Sequence, residues 1–251
     1  MKPVVGESPI RYVWFDQDDT LYDYSSSTRR ALSACLSIIH ESFPHTTHSV
    51  DARELVAIRA EISRRPDYGE INLIQARNEA FEETLRRYAS PDDDLASVLA
   101  ETYFRALRHE IQPYEGVEEC LRALTDDGHV LGIVSNGLSY LRELDLAHLF
   151  QHEVYANDLR LYKPDRAIFE HAMALAGARP EECLLVGDSC SCDVIGAQDA
   201  GWTGVWLNRD GREWDLECEP PEHMVSCLSE LPGLIRAPNV DRDGRGEQRV
   251  R

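Results

Sequence analysis

The chain has 251 residues, 43% hydrophobic and 28% charged, which is ordinary globular usage and excludes a mostly disordered, collagen-like or coiled-coil protein. At ~100–200 residues per domain it holds one large domain or two small ones. Its 26 basic and 45 acidic residues give a net charge of −19, which argues against nucleic acid or an anionic membrane as partner, since both need a basic patch.

No apolar run nears the ~18–20 residues of a membrane helix. Residues 1–10 carry one Lys and no apolar h-region, so no secretory signal is predicted. The seven cysteines are scattered and odd in number. That pattern predicts no disulfide framework and a reducing cytoplasm. Cys190 and Cys192 form a lone C-x-C without a second pair at metal spacing, so no metal is expected there.

The first element is Tyr12-Val13-Trp14-Phe15, β-branched and aromatic, with acidic residues directly after it. It reads as a buried strand. Residues 22–110 read as helices throughout. Ala31, Leu32, Cys35, Leu36 and Ile39 define one helical face over 29–40. Asp51 is placed to cap a helix through Ile62. Pro66 to Gly69 reads as a turn, and a third helix spans Ile71 to Tyr88. Ser90 and Pro91 are expected to start a fourth. Four helices with no strand between them predict a small bundle.

From Pro113 the chain alternates. Helices are predicted over 116–127, 138–149, 165–176 and 193–200, and strands over 129–135, 153–155, 183–186 and 205–207. Alternation implies a parallel sheet with helices on both faces. The fold class is therefore α/β: a Rossmann-like parallel-sheet core (1–21 and 111–235) with an inserted helical-bundle cap (22–110). Residues 236–251 carry five basic and three acidic residues and almost nothing apolar, and read as a disordered tail.

Open parallel sheets bind ligands at the carboxyl ends of their strands. Three strand ends here are polar: Asp16-Gln17-Asp18-Asp19-Thr20, Ser135-Asn136-Gly137, and Gly187-Asp188-Ser189 with Asp193 beyond. Any one of these Asp residues could be a cap or turn former. All of them at separate strand ends point to one crevice. Carboxylates gathered there repel and raise one another's pKa, a conflict that a hard cation such as Mg²⁺ removes. Lys163, in Tyr162-Lys163-Pro164-Asp165, could neutralise an anion or simply belong to a turn. Ser135 could cap its strand or bind phosphate oxygens.

The ordered set resembles the haloacid dehalogenase superfamily of phosphohydrolases over about residues 10–210. Asp16-x-Asp18-x-Thr20-Leu21-x-Asp23 is similar to motif one, Ser135-Asn136-Gly137 to motif two, Lys163-Pro164 to motif three, and Gly187-Asp188-Ser189-x-x-x-Asp193 to motif four. The inserted helices resemble the family's type-one cap. The resemblance implies Asp16 as nucleophile and Asp18 as general acid and base. It implies Thr20, Ser135, Asn136 and Lys163 around the phosphate, and Mg²⁺ on Asp16, Asp188, Asp193 and the main-chain carbonyl of Asp18.

The dehalogenases of this family lack an acid at the position of Asp18, because a leaving halide needs no proton. Its presence favours hydrolysis of a phosphate ester over a C–X bond. A small phosphorylated metabolite, such as a sugar, nucleotide or acid phosphate, is the expected substrate. A non-catalytic phosphometabolite-binding protein is the reading from another class. Tyr22, Asn72 and Arg77 are the cap residues expected to face the substrate. For Arg77 the other reading is a packed stem with its head in solvent.

Overall fold

The computed structural model describes residues 9–65, 73–138, 140–214 and 216–235. Six strands form one sheet: β1 (Tyr12–Phe15), β2 (Val130–Ser135), β3 (His152–Tyr155), β4 (Cys183–Gly187), β5 (Thr203–Leu207) and β6 (His223–Val225). Their order is β3-β2-β1-β4-β5-β6, and every adjacent pair is parallel. β1 lies centrally, with Phe15 level with Ile133 of β2 and Val186 of β4.

The sheet buries both faces, which explains its continuous apolar strands. Side chains alternate across a strand. Val13 and Phe15 join one cluster with Leu131, Ile133, Leu184 and Val186. Tyr12 and Trp14 join another with Leu185, Phe169, Ala197 and Trp202.

Between β1 and residue 113 the described chain forms helices α1 (Tyr24–Ser42), α2 (Ala52–Ser63), α3 (Leu73–Tyr88) and α4 (Asp93–Glu110). Asp51 caps α2 as predicted, accepting from Glu54 N at 2.9 Å. Ser90 does not cap the fourth helix. Asp92 does, accepting from Leu95 N at 2.8 Å, because a carboxylate one residue before the helical turn reaches N3 directly. Leu32, Phe81, Leu99, Tyr103 and Leu107 continue the first sheet-face cluster into these helices. The chain enters and leaves the excursion side by side: Tyr22 bridges to Pro113, and Tyr114 N donates to Leu21 O at 3.0 Å.

After α5 (Val117–Asp126) the order runs β2, β3, α6 (Ala156–Leu159), α7 (Arg166–Ala176), β4, α8 (Gly196–Asp199), β5, β6 and α9 (Leu231–Ile235). The predicted helix over 138–149 is not there. Two adjacent pairs, Tyr140-Leu141 and Leu149-Phe150, are both buried, which one helical face cannot achieve. Asp145 turns left-handed at φ 56°, Leu146 N returns to Leu141 O at 2.9 Å, and Ala147–Leu149 make a 3₁₀ turn.

The helix predicted over 193–200 begins earlier, as a π-turn over Cys190–Ile195. β6 and α9 lie beyond Leu207, the end of the last element predicted from the sequence. The Pro66–Gly69 turn and the 236–251 tail lie outside the described residues. No described helix is long and apolar enough to cross a membrane.

Candidate active site

The carboxyl ends of β1, β2 and β4 converge as the sheet order requires. Asp16 follows β1 and is tied to β4 through Asp16 N to Val186 O at 3.0 Å. Lys163 reaches the same point from the loop after α6. Its Nζ donates to Asp16 Oδ1 and to Asp193 Oδ1, each at 2.7 Å. The Lys163 and Asp193 side chains are each 2% exposed.

The Lys163 main chain is gripped by the Asn136 amide, which accepts from Lys163 N at 2.8 Å and donates to Lys163 O at 3.0 Å. Both ends of the Asn136 side chain are thus spent on Lys163. Asp193 is also held by Ser189 N, which donates to its Oδ2 at 3.0 Å. The π-turn delivers it: Asp193 N and Val194 N both donate to Ser189 O, so the turn widens by one residue and the carboxylate swings under β4. Gly187 makes room, since a Cβ there would lie 2.2 Å from Asp193 Oδ2.

Asp16, Asp188 and Asp193 offer carboxylate oxygens within 4.8 Å of one another. Three carboxylates against one ammonium leave an excess of two negative charges. Burial, opposed by Lys163 and reinforced by Asp193, lifts Asp16 from 3.8 to about 7. Burial and the Asp193 charge lift Asp188 to about 6. Burial works against the Lys163 ammonium, but Asp16 and Asp193 outweigh it and raise its pKa. An all-oxygen, over-charged donor set suits a hard divalent cation.

The Asp18 side chain stands apart from this trio, in keeping with the expectation that only its main-chain carbonyl meets the cation. Its Oδ1 accepts from Tyr22 Oη at 2.9 Å, and its Oδ2 packs so closely on Gly137 that a Cβ there would sit 2.4 Å away. Only its main-chain carbonyl is left for a cation. Burial and the neighbouring Asp16 charge raise the Asp18 pKa well above the ordinary carboxylate range.

The remaining predicted residues fall as follows. Ser135 is fully buried and its Oγ accepts from Gly137 N at 3.0 Å. Thr20 is also fully buried, with its hydroxyl unpartnered and its carbonyl accepting from Arg209 at 2.8 Å.

Tyr22 and Arg77, expected to face the substrate, both have partners within the protein. Tyr22 is fully buried and serves Asp18, because the loop after β1 folds it inward. Arg77 is half-buried, lies over the Tyr103 ring at 4.2 Å and donates to its hydroxyl at 3.2 Å, so its head is held by an aromatic side chain rather than left in solvent. Asn72 lies outside the described residues. Arg209 and Arg212, missed in the sequence, line a cavity of about 480 Å³ together with Asp188, Asp19 and Tyr114. Their position just past the end of β5 was the available signal. A second cavity of about 340 Å³ is lined by Gly137, Leu138, Tyr155 and Asn157.

A family model described as haloacid dehalogenase-like hydrolase matches residues 10–201. The chain is 30% identical to a glyceraldehyde 3-phosphate phosphatase of Methanopyrus kandleri, covering 90% of this chain and 97% of that one. It is 26% identical to mouse N-acylneuraminate-9-phosphatase, covering 93% and 96%. Among solved structures, a 2-haloacid dehalogenase of Pseudomonas syringae pv. Tomato is 31% identical, covers 90% and 98%, and superposes with a TM-score of 0.74. The family match spans every carboxylate of the crevice together with Lys163, and the chain is a member of the haloacid dehalogenase-like hydrolases.

Proposed function

We propose that this chain is a Mg²⁺-dependent phosphatase of a small phosphorylated metabolite. The observation that carries the reading is Asp18. It sits two residues from Asp16, half-buried and bonded to Tyr22 Oη at 2.9 Å, with a pKa raised well above the ordinary carboxylate range by desolvation and the Asp16 charge, the direction an acid that donates a proton needs. The names of the phosphatase relatives support the same substrate class.

In this reading an Asp16 carboxylate oxygen attacks phosphorus as the ester P–O bond breaks, and Asp18 gives its proton to the leaving oxygen. The product is an aspartyl-phosphate and a free alcohol. Asp18, now ionised, takes a proton from water as that water attacks phosphorus. Asp16 is released with inorganic phosphate, and Asp18 is protonated again. Lys163 holds Asp16 in place and offsets charge. Asn136 acts through Lys163 rather than on the phosphate itself.

Asp16, Asp188, Asp193 and the Asp18 carbonyl would hold the cation, whose charge would shield an anionic substrate from an anionic nucleophile. Helices α1–α4 would act as the cap, over residues 22–110, and exclude bulk water on closure. Seven free cysteines suit a reducing cytoplasm.

Similarity to a solved dehalogenase favours a second reading, C–X hydrolysis. A halide leaves without a proton and gives Asp18 no task. The deciding experiment measures phosphate release from p-nitrophenyl phosphate and a panel of sugar, nucleotide and acid phosphates. It includes Mg²⁺, EDTA and Asp16→Asn, with chloride release from 2-chloropropionate alongside. Phosphate release that needs both the cation and Asp16 is expected. Chloride release without phosphate release would establish the second reading, and neither release would favour a binding protein.

A further inference from the structure

Two of the three carboxylates are restrained by Lys163, and Asp188 is not. Its carboxylate makes its one ion pair, among the described residues, with Arg212 Nη2 at 3.7 Å. The same nitrogen donates to the Asp188 main-chain carbonyl at 2.6 Å, and Trp206 Nε1 donates to that carbonyl at 3.2 Å. Arg212 therefore touches both the backbone and the side chain of one residue.

Arg212 is in turn presented by Asn208. Asn208 Oδ1 accepts from Arg212 N at 2.8 Å, and Asn208 Nδ2 donates to Arg212 O at 2.9 Å. Asn136 grips Lys163 in the same two-bond manner at 2.8 and 3.0 Å. Each Asn directly follows the last residue of a strand, β2 or β5. The sheet thus uses one device twice to hold a cationic residue at its carboxyl edge.

We infer that Arg212 is a positioning residue that fixes Asp188 for the divalent cation, with Asn208 as the residue that presents it. The inference rests on the cation site under Proposed function. Two physical effects of Arg212 oppose each other. Its charge repels a cation, so deleting it would tighten binding if charge were all that mattered. Its hydrogen bond and ion pair pre-set the Asp188 geometry, and loss of such a partner of a metal ligand typically weakens the metal about 10–100-fold. The bond to the carbonyl has no reason to exist in the charge-only case. The sign of the change therefore separates the two.

The test is Mn²⁺ affinity by calorimetry and by electron paramagnetic resonance, in the parent chain, Asp188→Asn, Arg212→Ala, Arg212→Lys and Asn208→Ala. Melting in EDTA serves as the fold control. Arg212→Ala should bind Mn²⁺ at least about tenfold more weakly at near-parent melting temperature. Asn208→Ala should follow it, and Arg212→Lys should recover part of the loss.

Unchanged or tighter binding in Arg212→Ala would overturn the inference even where Asn208→Ala fails to fold, since Arg212 is half-exposed. If the parent binds and Asp188→Asn does not, that failure is confined to Arg212. A parent that binds no Mn²⁺, or an Asp188→Asn variant that binds like the parent, would overturn the cation site and this inference with it.

Discussion

Replacing Lys163 by Met removes one charge from a nearly sealed cluster and keeps most of the side-chain volume. The Lys163 side chain is 2% exposed, Asp193 2% and Asp16 10%. Two buried carboxylates then lose their shared ammonium. Breaking a buried pair from one side costs roughly 3–5 kcal/mol. At roughly 2–4 °C per kcal/mol for a chain of this size, the melting temperature should fall by about 6–20 °C at pH 8.

The sign of its pH dependence follows from Asp16, whose pKa stands at about 7 in the fold against an ordinary 3.8. A carboxylate raised in this way contributes its stability in full below about pH 4 and loses it as pH climbs through 7. Lys163 opposes that rise, so its removal moves Asp16 higher and deepens the loss at pH 8. At pH 5 Asp16 is already protonated in both chains, and the gap should narrow. The assay is calorimetric melting in EDTA at pH 5 and 8, repeated with Mg²⁺, which should restore part of the loss at pH 8. A melting difference equal at both pH values, or below 2 °C, would refute the reasoning.

Asp18→Asn keeps size and polarity but cannot supply a proton, so kcat should fall by about 10²–10⁴ on an alkyl phosphate. The loss should be smaller on p-nitrophenyl phosphate, whose leaving group needs little protonation; equal losses on both would contradict the acid role. Mg²⁺ affinity should weaken as pH drops, first through about 7 and again through about 6, as Asp16 and then Asp188 take up protons. Calorimetry in buffers of different ionisation enthalpy should show protons released on binding, and a Kd constant from pH 8 to 5.5 would contradict this. Gly187→Ala forces a Cβ to within 2.2 Å of Asp193 Oδ2 and should cost about 1–3 kcal/mol by overpacking. It should also weaken Mn²⁺ binding, and a variant with parent-like melting would show that the π-turn yields freely.

Features that rest on local pattern are legible in the residues alone. The apolar run at Tyr12–Phe15 and the acids that follow mark a buried strand and a ligand edge. Asp51, Gly128 and Gly177 mark helix ends, because caps and left-handed turns are satisfied within a few residues. Three of the four motifs could be placed along the chain because each sits at a strand end, and a strand end is a local feature; Lys163 lies in the loop after α6. The stretch over 138–149 was misread for the same reason in reverse: its leucine spacing imitates a helix, while its burial is dictated by distant neighbours.

How the side chains are shared out emerges only in the packed fold. Asn136 spends its amide on Lys163, 27 residues away, where the sequence offered it to a substrate. Tyr22, which the sequence offered to a substrate, donates its hydroxyl to Asp18. Arg212 meets Asp188 across 24 residues, a pairing no spacing rule contains. Hydrogen bonds and charge pairs of this kind are set by which strands lie side by side. That order, β3-β2-β1-β4-β5-β6, is a property of the packed sheet rather than of any segment of it.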